Sequence, residues 1–224
     1  MARRSTRRGT RRRTGSRRSV ARTPPLATAI RRVCADLDAA GLHYALVGGL
    51  AVSARAEPRL TRDIDLAVAV QNDAGAETIL HELSGRGYRI VTVVEHARMK
   101  RLATARLSPK SDRVIVDLLF ASCGIEPEVV ERAELLEILP GLRIPVARTG
   151  HLIAMKLLAR DDRQRPQDLD DIRSLLAVAD AAQRRLVTAS IRKIVERGFS
   201  RGRDLRASWR AVSGSASRPP DRAR

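Results

Sequence analysis

The spacing of apolar positions outlines the chain. In residues 26–40 (LATAIRRVCADLDAA), Ile30, Val33 and Leu37 recur at the interval of one helical face, and Gly41 closes the run. HYALVGG follows as a short buried strand running into two glycines, and LAVSARA as the first turns of a helix that Pro58 ends. TRDIDLAVAV alternates without a break, which predicts a strand. AGAETILHELSGRGY carries helical periodicity up to Gly85 or Gly87, while RIVTVVEH, ATARLS and the more apolar RVIVDLLFA read as strands. Residues 126–139 read as a helix, and LRIPVA as an extended piece that Pro145 puts at a sheet edge. From about Thr149, GHLIAMKLLAR, PQDLDDIRSLLAVA and AAQRRLVTASIRKIVERG form three successive helices. The pattern predicts an α/β (α+β) protein: a small mixed sheet flanked by helices over residues 25–147, then a C-terminal helical bundle over 148–200.

Composition changes that outline in two ways. Hydrophobic residues make up 43% of the chain but aromatics only 2%, so the core must be aliphatic. The net charge of +18 is concentrated at the ends: residues 1–22 hold ten Arg and no acid, and residues 197–224 hold eight Arg against two Asp. The body between them is nearly neutral, which excludes a uniformly basic nucleic-acid-binding globule and leaves two basic arms suited to polyanions. Residues 1–24 are expected to be a disordered Arg-rich tail and 201–224 a disordered basic tail. No apolar run is long enough to span a bilayer, no apolar segment follows the basic N-terminus as a secretory signal requires, and Cys34 and Cys123 lack motif spacing. A cytoplasmic protein with reduced thiols and no membrane partner is the expectation.

Candidate chemistry begins in DIDLAVAV. Alternation puts Asp63 and Asp65 on one face, about 7 Å apart by the strand rise, with Ala67 and Ala69 leaving space beyond them. Two carboxylates on one face repel, and a hard divalent cation such as magnesium relieves the repulsion. Taken alone, D-x-D is more often a solvated strand end. Asp117 alters the balance: it stands in the middle of the apolar strand VIVDLLF, where a charge is costly unless it is paired. Its partner is either an arginine or a metal shared with Asp63 and Asp65. Three carboxylates on two strands can hold two ions about 4 Å apart for in-line phosphoryl chemistry. Gly48 and Gly49 join a strand to a helix, a place where backbone N–H groups approach a phosphate at the positive end of a helix dipole.

VGGLAV, PRLTRDIDL and VIVDLLF together resemble the nucleotidyltransferase superfamily of DNA polymerase beta. HLIAMKLLARDDRQRPQDLDDI is similar to the AbiEii-type members, many of which are toxins of toxin–antitoxin or phage-defence pairs. The resemblance covers roughly residues 28–176. It implies a nucleotidyltransferase sheet in which Gly48 and Gly49 bind the triphosphate, Asp63 and Asp65 hold the metals, and Asp117 is the third carboxylate, activating the acceptor hydroxyl. Lys156 and Asp168 match the lysine and aspartate of the family's helical half. Position 49 departs from the commoner Gly-Ser form of the turn, so only its backbone N–H remains.

Lys156 is the one charge in an apolar helical stretch. It either snorkels to the surface or reaches the triphosphate or Asp168. Asp168, Asp170 and Asp171 sit in a first helical turn, where a favourable dipole interaction suffices to explain them; Asp168 alone is spaced to reach the edge of the buried stripe. Arg59 and Arg62 flank the D-x-D strand and could neutralise phosphate, Arg62 being the nucleotide-binding candidate. His43, His81, His96 and His151 lack ligand spacing, and no zinc is expected. The expected function is a magnesium-dependent transfer of a nucleotidyl group from an NTP to an acceptor hydroxyl, with release of pyrophosphate. RNA, tRNA in particular, is the expected acceptor, two magnesium ions the cofactor, and a cognate antitoxin the expected partner. Two alternatives stand beside it: a small-molecule or protein acceptor, and a non-catalytic antitoxin or adaptor on the same fold, which Gly49 favours.

Overall fold

The computed structural model describes residues 25–109 and 114–215. The expectations for residues 1–24 and 216–224 lie outside them. The elements run α1 (Pro25–Ala39), β1 (Tyr44–Val47), α2 (Gly48–Arg55), β2 (Asp63–Val68), α3 (Asp73–Gly85), β3 (Tyr88–His96), β4 (Arg101–Pro109), β5 (Ile115–Leu119), α4 (Glu126–Glu131), β6 (Glu134–Leu139), β7 (Leu142–Val146), α5 (Thr149–Ala159), α6 (Gln167–Val178), α7 (Ala181–Glu196) and α8 (Leu205–Ser215). This is the mixed α/β architecture that the periodicity predicts.

The strands form one mixed sheet in the order β3-β4-β5-β2-β1-β7-β6. β2 lies at its centre, antiparallel to β1 and parallel to β5. Its alternation is realised as expected, with Ile64, Leu66 and Val68 fully buried and the two aspartates on the opposite face. Helix α2 packs on β1 and β2, and α5 packs in turn on α2, α6, α7 and α8, so α2 is the hinge-point between sheet and helical half. At one margin, β3 presents Ile90, Val91, Val93 and Val94 at 41–51% exposure, an apolar edge.

Three expectations need correction. Residues 126–139 are not one helix: α4 stops at Glu131, and Glu134–Leu139 is strand β6. Pro140 and Gly141 make the turn into β7, with Gly141 at φ +69°, so β6 and β7 form a tight hairpin. LRIPVA is not the edge, because β6 covers it. Pro145 is tolerated because β1 meets β7 at a single bridge, Leu46 with Val146. Finally, residues 205–215 of the expected tail are helix α8. Leu205 and Val212 are buried on one face, and Asp204 caps the helix by accepting from the Ala207 N–H at 2.9 Å. The helical half therefore has four helices rather than three.

Helix α4 is pinned to α7 through Glu128, which accepts from Lys193 Nζ at 2.7 Å and from Arg197 Nη2 at 2.6 Å. Burial alone would raise this carboxyl, but the bonds from Arg197 and Lys193 outweigh it and hold the pKa at about 2. A depressed pKa stabilises the fold above the unfolded value and is lost as pH falls towards the folded one. Glu128→Gln is therefore expected to cost about 1 kcal/mol at pH 7, the cations being partly exposed. Denaturant melts should show that deficit shrinking between pH 4.5 and pH 2.

Candidate active site

Strand register builds the site. Val47 pairs with Asp65 across β1 and β2, Asp65 with Asp117 across β2 and β5, and Asp117 with Arg106 across β5 and β4. A single row across four strands thus sets the end of β1, two carboxylates and a guanidinium side by side, neighbouring strands being about 4.8 Å apart. The row opens on a cleft of about 510 Å³ lined by Gly48, Gly49, Asp63, Asp65, Asp117 and Lys156. Of the residues singled out in the sequence, those six and Arg59 come together there. Arg62 is exposed and does not line the cleft, and Asp168 is fully buried beneath it.

The diglycine turn is dictated by close approach. Gly48 has φ +64°, and a Cβ on it would stand 2.0 Å from Asp65 Oδ2, so no other residue fits. At Gly49 a Cβ would stand 2.6 Å from Arg59 Nη2 and 2.9 Å from Thr61 Oγ1. The volume that a serine side chain would need is taken by these two residues, which puts the Thr61 hydroxyl beside the slot. Val47 offers no side-chain cap to α2, so the first N–H groups of that helix are left for whatever enters the cleft.

The electrostatics is that of crowded carboxylates. Burial, then the charges of Asp117 and Asp63, push the Asp65 carboxyl up to about 6, although Lys156 draws it down. Asp117 has found a cation: Arg106 Nε donates to Oδ1 at 2.9 Å and Nη2 to Oδ2 at 2.7 Å, a bidentate pair that holds Arg106 above the ordinary guanidinium range. This is the arginine partner that the sequence left as one of two options. The signal for it was present, since Arg106 is the one charge in ATARLS, but the pairing register of β4 with β5 was not legible.

Behind the cleft lies a buried ion cluster. Lys156 does not snorkel; its Nζ lies 2.8 Å from Asp168 Oδ1 and 2.7 Å from Asp171 Oδ2. Arg59 Nε stands 2.7 Å from Asp171 Oδ1, and Arg165 Nε 3.2 Å from Asp168 Oδ2. Asp171 is thus far more than a dipole partner: it is 2% exposed and joins the segment before β2 to α5 and α6. Its spacing of three from Asp168 puts both on one helical face, the signal that could have found it. Asp170, by contrast, is exposed beside Arg173.

Other chemistries find little support. Cys34 and Cys123 are free and buried, and although Cys123 lines the cleft, burial pushes its thiol far above the usual range, away from thiolate reactivity. His151 is buried, which pushes it down to about 4 and keeps it neutral. Among the described residues, no three His, Cys, Asp or Glu side chains are arranged to grip a metal as they stand, and no helix is long and apolar enough to cross a membrane.

No curated protein matches the sequence. Among solved structures, an antigenic nucleotidyltransferase-like protein from Paracoccidioides brasiliensis aligns at 19% identity and TM-score 0.48, over 84% of this chain and 93% of that one. MenT4, a nucleotidyltransferase toxin from Mycobacterium tuberculosis H37Rv, aligns at 17% identity and TM-score 0.43, over 84% and 82%. Both likenesses are too distant to bear on this site. The sequence profile described as nucleotidyl transferase AbiEii toxin, type IV toxin–antitoxin system, matches residues 32–220 and so spans cleft, ion cluster and helical half together. The chain belongs to the AbiEii nucleotidyltransferase family.

Proposed function

We propose that the cleft moves a nucleotidyl group from an NTP to a hydroxyl of RNA, that it requires magnesium, and that a cognate antitoxin silences it. The observation that carries this is the cross-sheet row from Val47 through Asp65 to Asp117, opening on the uncapped N-terminus of α2. The triphosphate lies against the α2 N–H groups, with Thr61 and the Arg59 guanidinium beside it. The acceptor oxygen forms a bond to the α-phosphorus in line as the bond to the bridging oxygen breaks, and pyrophosphate leaves. Asp117, once released by Arg106, accepts the proton of the acceptor hydroxyl. Arg106 and Lys156 then offset charge on the phosphates.

The donor set suits magnesium: Asp63, Asp65 and Asp117 are hard oxygen ligands, and burial, then the charges of Asp117 and Asp63, make the Asp65 carboxylate unfavourable in a way that a cation would relieve. When bound, magnesium supplies Lewis-acid polarisation of the phosphoryl oxygens. It has to compete with Arg106 for Asp117. That half-exposed pair is worth up to about 1 kcal/mol, so Arg106→Ala is expected to tighten binding of magnesium alone by up to about fivefold. A weaker affinity in calorimetry would mean that the arginine helps rather than competes.

One observation favours a second reading. Both oxygens of Asp117 are held by Arg106, as in a fold kept for binding rather than catalysis. Calorimetry of NTP binding with and without magnesium separates the two. The catalytic reading expects binding that magnesium strengthens and that Asp63→Asn weakens; binding indifferent to both supports the non-catalytic protein.

A further inference from the structure

A second concavity, of about 490 Å³, lies between α7 and α8. Arg185 and Arg192 project from α7, Arg206 and Arg210 from α8, and Trp209 stands between them with Thr188 alongside. The sequence explains the arrangement. Arg185, Thr188 and Arg192 are three and four residues apart on α7, and Arg206 and Arg210 four apart on α8, so each set shares a helical face. Trp209 is half-buried: part of the ring packs on the core next to Val212, and the rest lines the groove. Acid is scarce there. Arg192 faces Glu196 at 3.8 Å, and no ion pair holds Arg185, Arg206 or Arg210 among the described residues. Four guanidinium groups around a partly buried indole that lines the groove form a local positive field that nothing in the fold uses.

We propose that this groove binds single-stranded nucleic acid, its arginines meeting successive phosphates and Trp209 stacking on a base. The combination is specific in kind. An acidic peptide or a sulfated polymer would use the arginines but not the indole face, whereas single strands use both, each stacked base contributing about 1–3 kcal/mol. Arg201, four residues before α8 begins, lines the catalytic cleft and donates to Ser122 O at 2.9 Å. The segment that carries Arg201 at the cleft thus runs directly into α8, the helix that carries Arg206, Trp209 and Arg210 at the groove. The proposal deepens the reading of an RNA acceptor and rests on it for its purpose, but not for its test.

Trp209 is the sole tryptophan of the chain, so its fluorescence reports on the groove directly. Titration of the full-length protein with a ten-nucleotide oligoadenylate should quench it. The Arg-rich ends bind polyanions too, so differences between variants carry the argument. Arg185→Ala with Arg210→Ala should weaken binding and make the slope of log affinity against log salt shallower by about 1.4, two phosphates at about 0.7 each. Trp209→Leu, followed by anisotropy of a labelled oligonucleotide, should lose about tenfold or more, and Trp209→Phe should restore most of it. Circular dichroism and NTP binding at the cleft should be unchanged in all three. RNA and DNA arms show whether the sugar matters. Quenching by polyglutamate equal to that by the oligonucleotide would overturn the proposal, as would an unchanged salt slope in the double variant. Oligonucleotide binding without any NTP labelling would sink the catalytic reading and leave the groove standing.

Discussion

Asp65→Asn is expected to abolish nucleotidyl transfer while making the metal-free protein more stable. The two effects have one cause. Asp65 is partly buried, in register with Asp117, close to Asp63 and tight over Gly48, so its charge is held away from water and where other charges repel it. In the proposed reaction this burial and crowding would gather cations; in the resting fold they are unfavourable. Replacing a residue that merely supports a metal ligand costs 10–100-fold, so loss of a ligand should lower turnover by at least ~100-fold. The stability effect has a definite pH signature. The folded pKa, about 6, lies above the ordinary 3.8, so the wild type loses stability as pH rises from about 4 through about 6. The Asn variant escapes that loss. Its melting temperature should exceed that of the wild type at pH 8 and match it near pH 4. A variant less stable at pH 8 would mean that Asp65 is paired rather than crowded.

Lys156→Met has the largest expected effect on the fold. The substitution keeps the helix and the volume, but leaves Asp168, wholly buried, and Asp171, 2% exposed, without their shared cation. Breaking a buried pair by removing one partner costs about 3–5 kcal/mol. The lower end is expected, because Arg59 and Arg165 still face the two carboxylates. For a chain of this size that is a fall on the order of 10 °C in melting temperature. Adding Asp171→Asn should recover part of the loss, since one uncompensated charge goes with it. A Lys156→Met protein that melts within a degree of wild type would remove the ion cluster from the account. Because the cluster joins the Arg59 segment, α5 and α6 at the rear of the cleft, its loss should also loosen nucleotide binding.

How much of this was legible in the sequence depends on the range of the interaction. Asp63 and Asp65 could be assigned to one face because strand alternation is local, and Asp117 stood out because a charge inside VIVDLLF demands a partner. The identity of that partner was not legible, since the register of β4 on β5 is set by tertiary pairing. Glu134–Leu139 is ambiguous for a related reason: ELLEIL suits a helix as well as a half-buried strand, and it is the Pro140–Gly141 turn beyond it that makes it a strand. On α6 the helix dipole favours acids in the first turn but is too weak to hold them buried. It suffices for an exposed acid such as Asp170, whereas buried Asp168 and Asp171 need the cations of the cluster. Helix α8 is masked in the sequence by its arginines, whose charge outweighs the short apolar spacing of Leu205, Trp209 and Val212. Those same arginines, once folded onto α7, form the groove.

The most direct test of the central claim, that the diglycine turn and the carboxylate row form a nucleotidyl-transfer centre, is the fate of the label. The protein is incubated with magnesium, total RNA and an NTP labelled at either the α- or the γ-phosphorus, and products are separated by gel and thin-layer chromatography. The account predicts RNA labelled from the α-position, γ-label recovered as pyrophosphate, and neither with Asp65→Asn. Label passing from the γ-position into the acceptor, or α-labelling that survives Asp65→Asn, would contradict it.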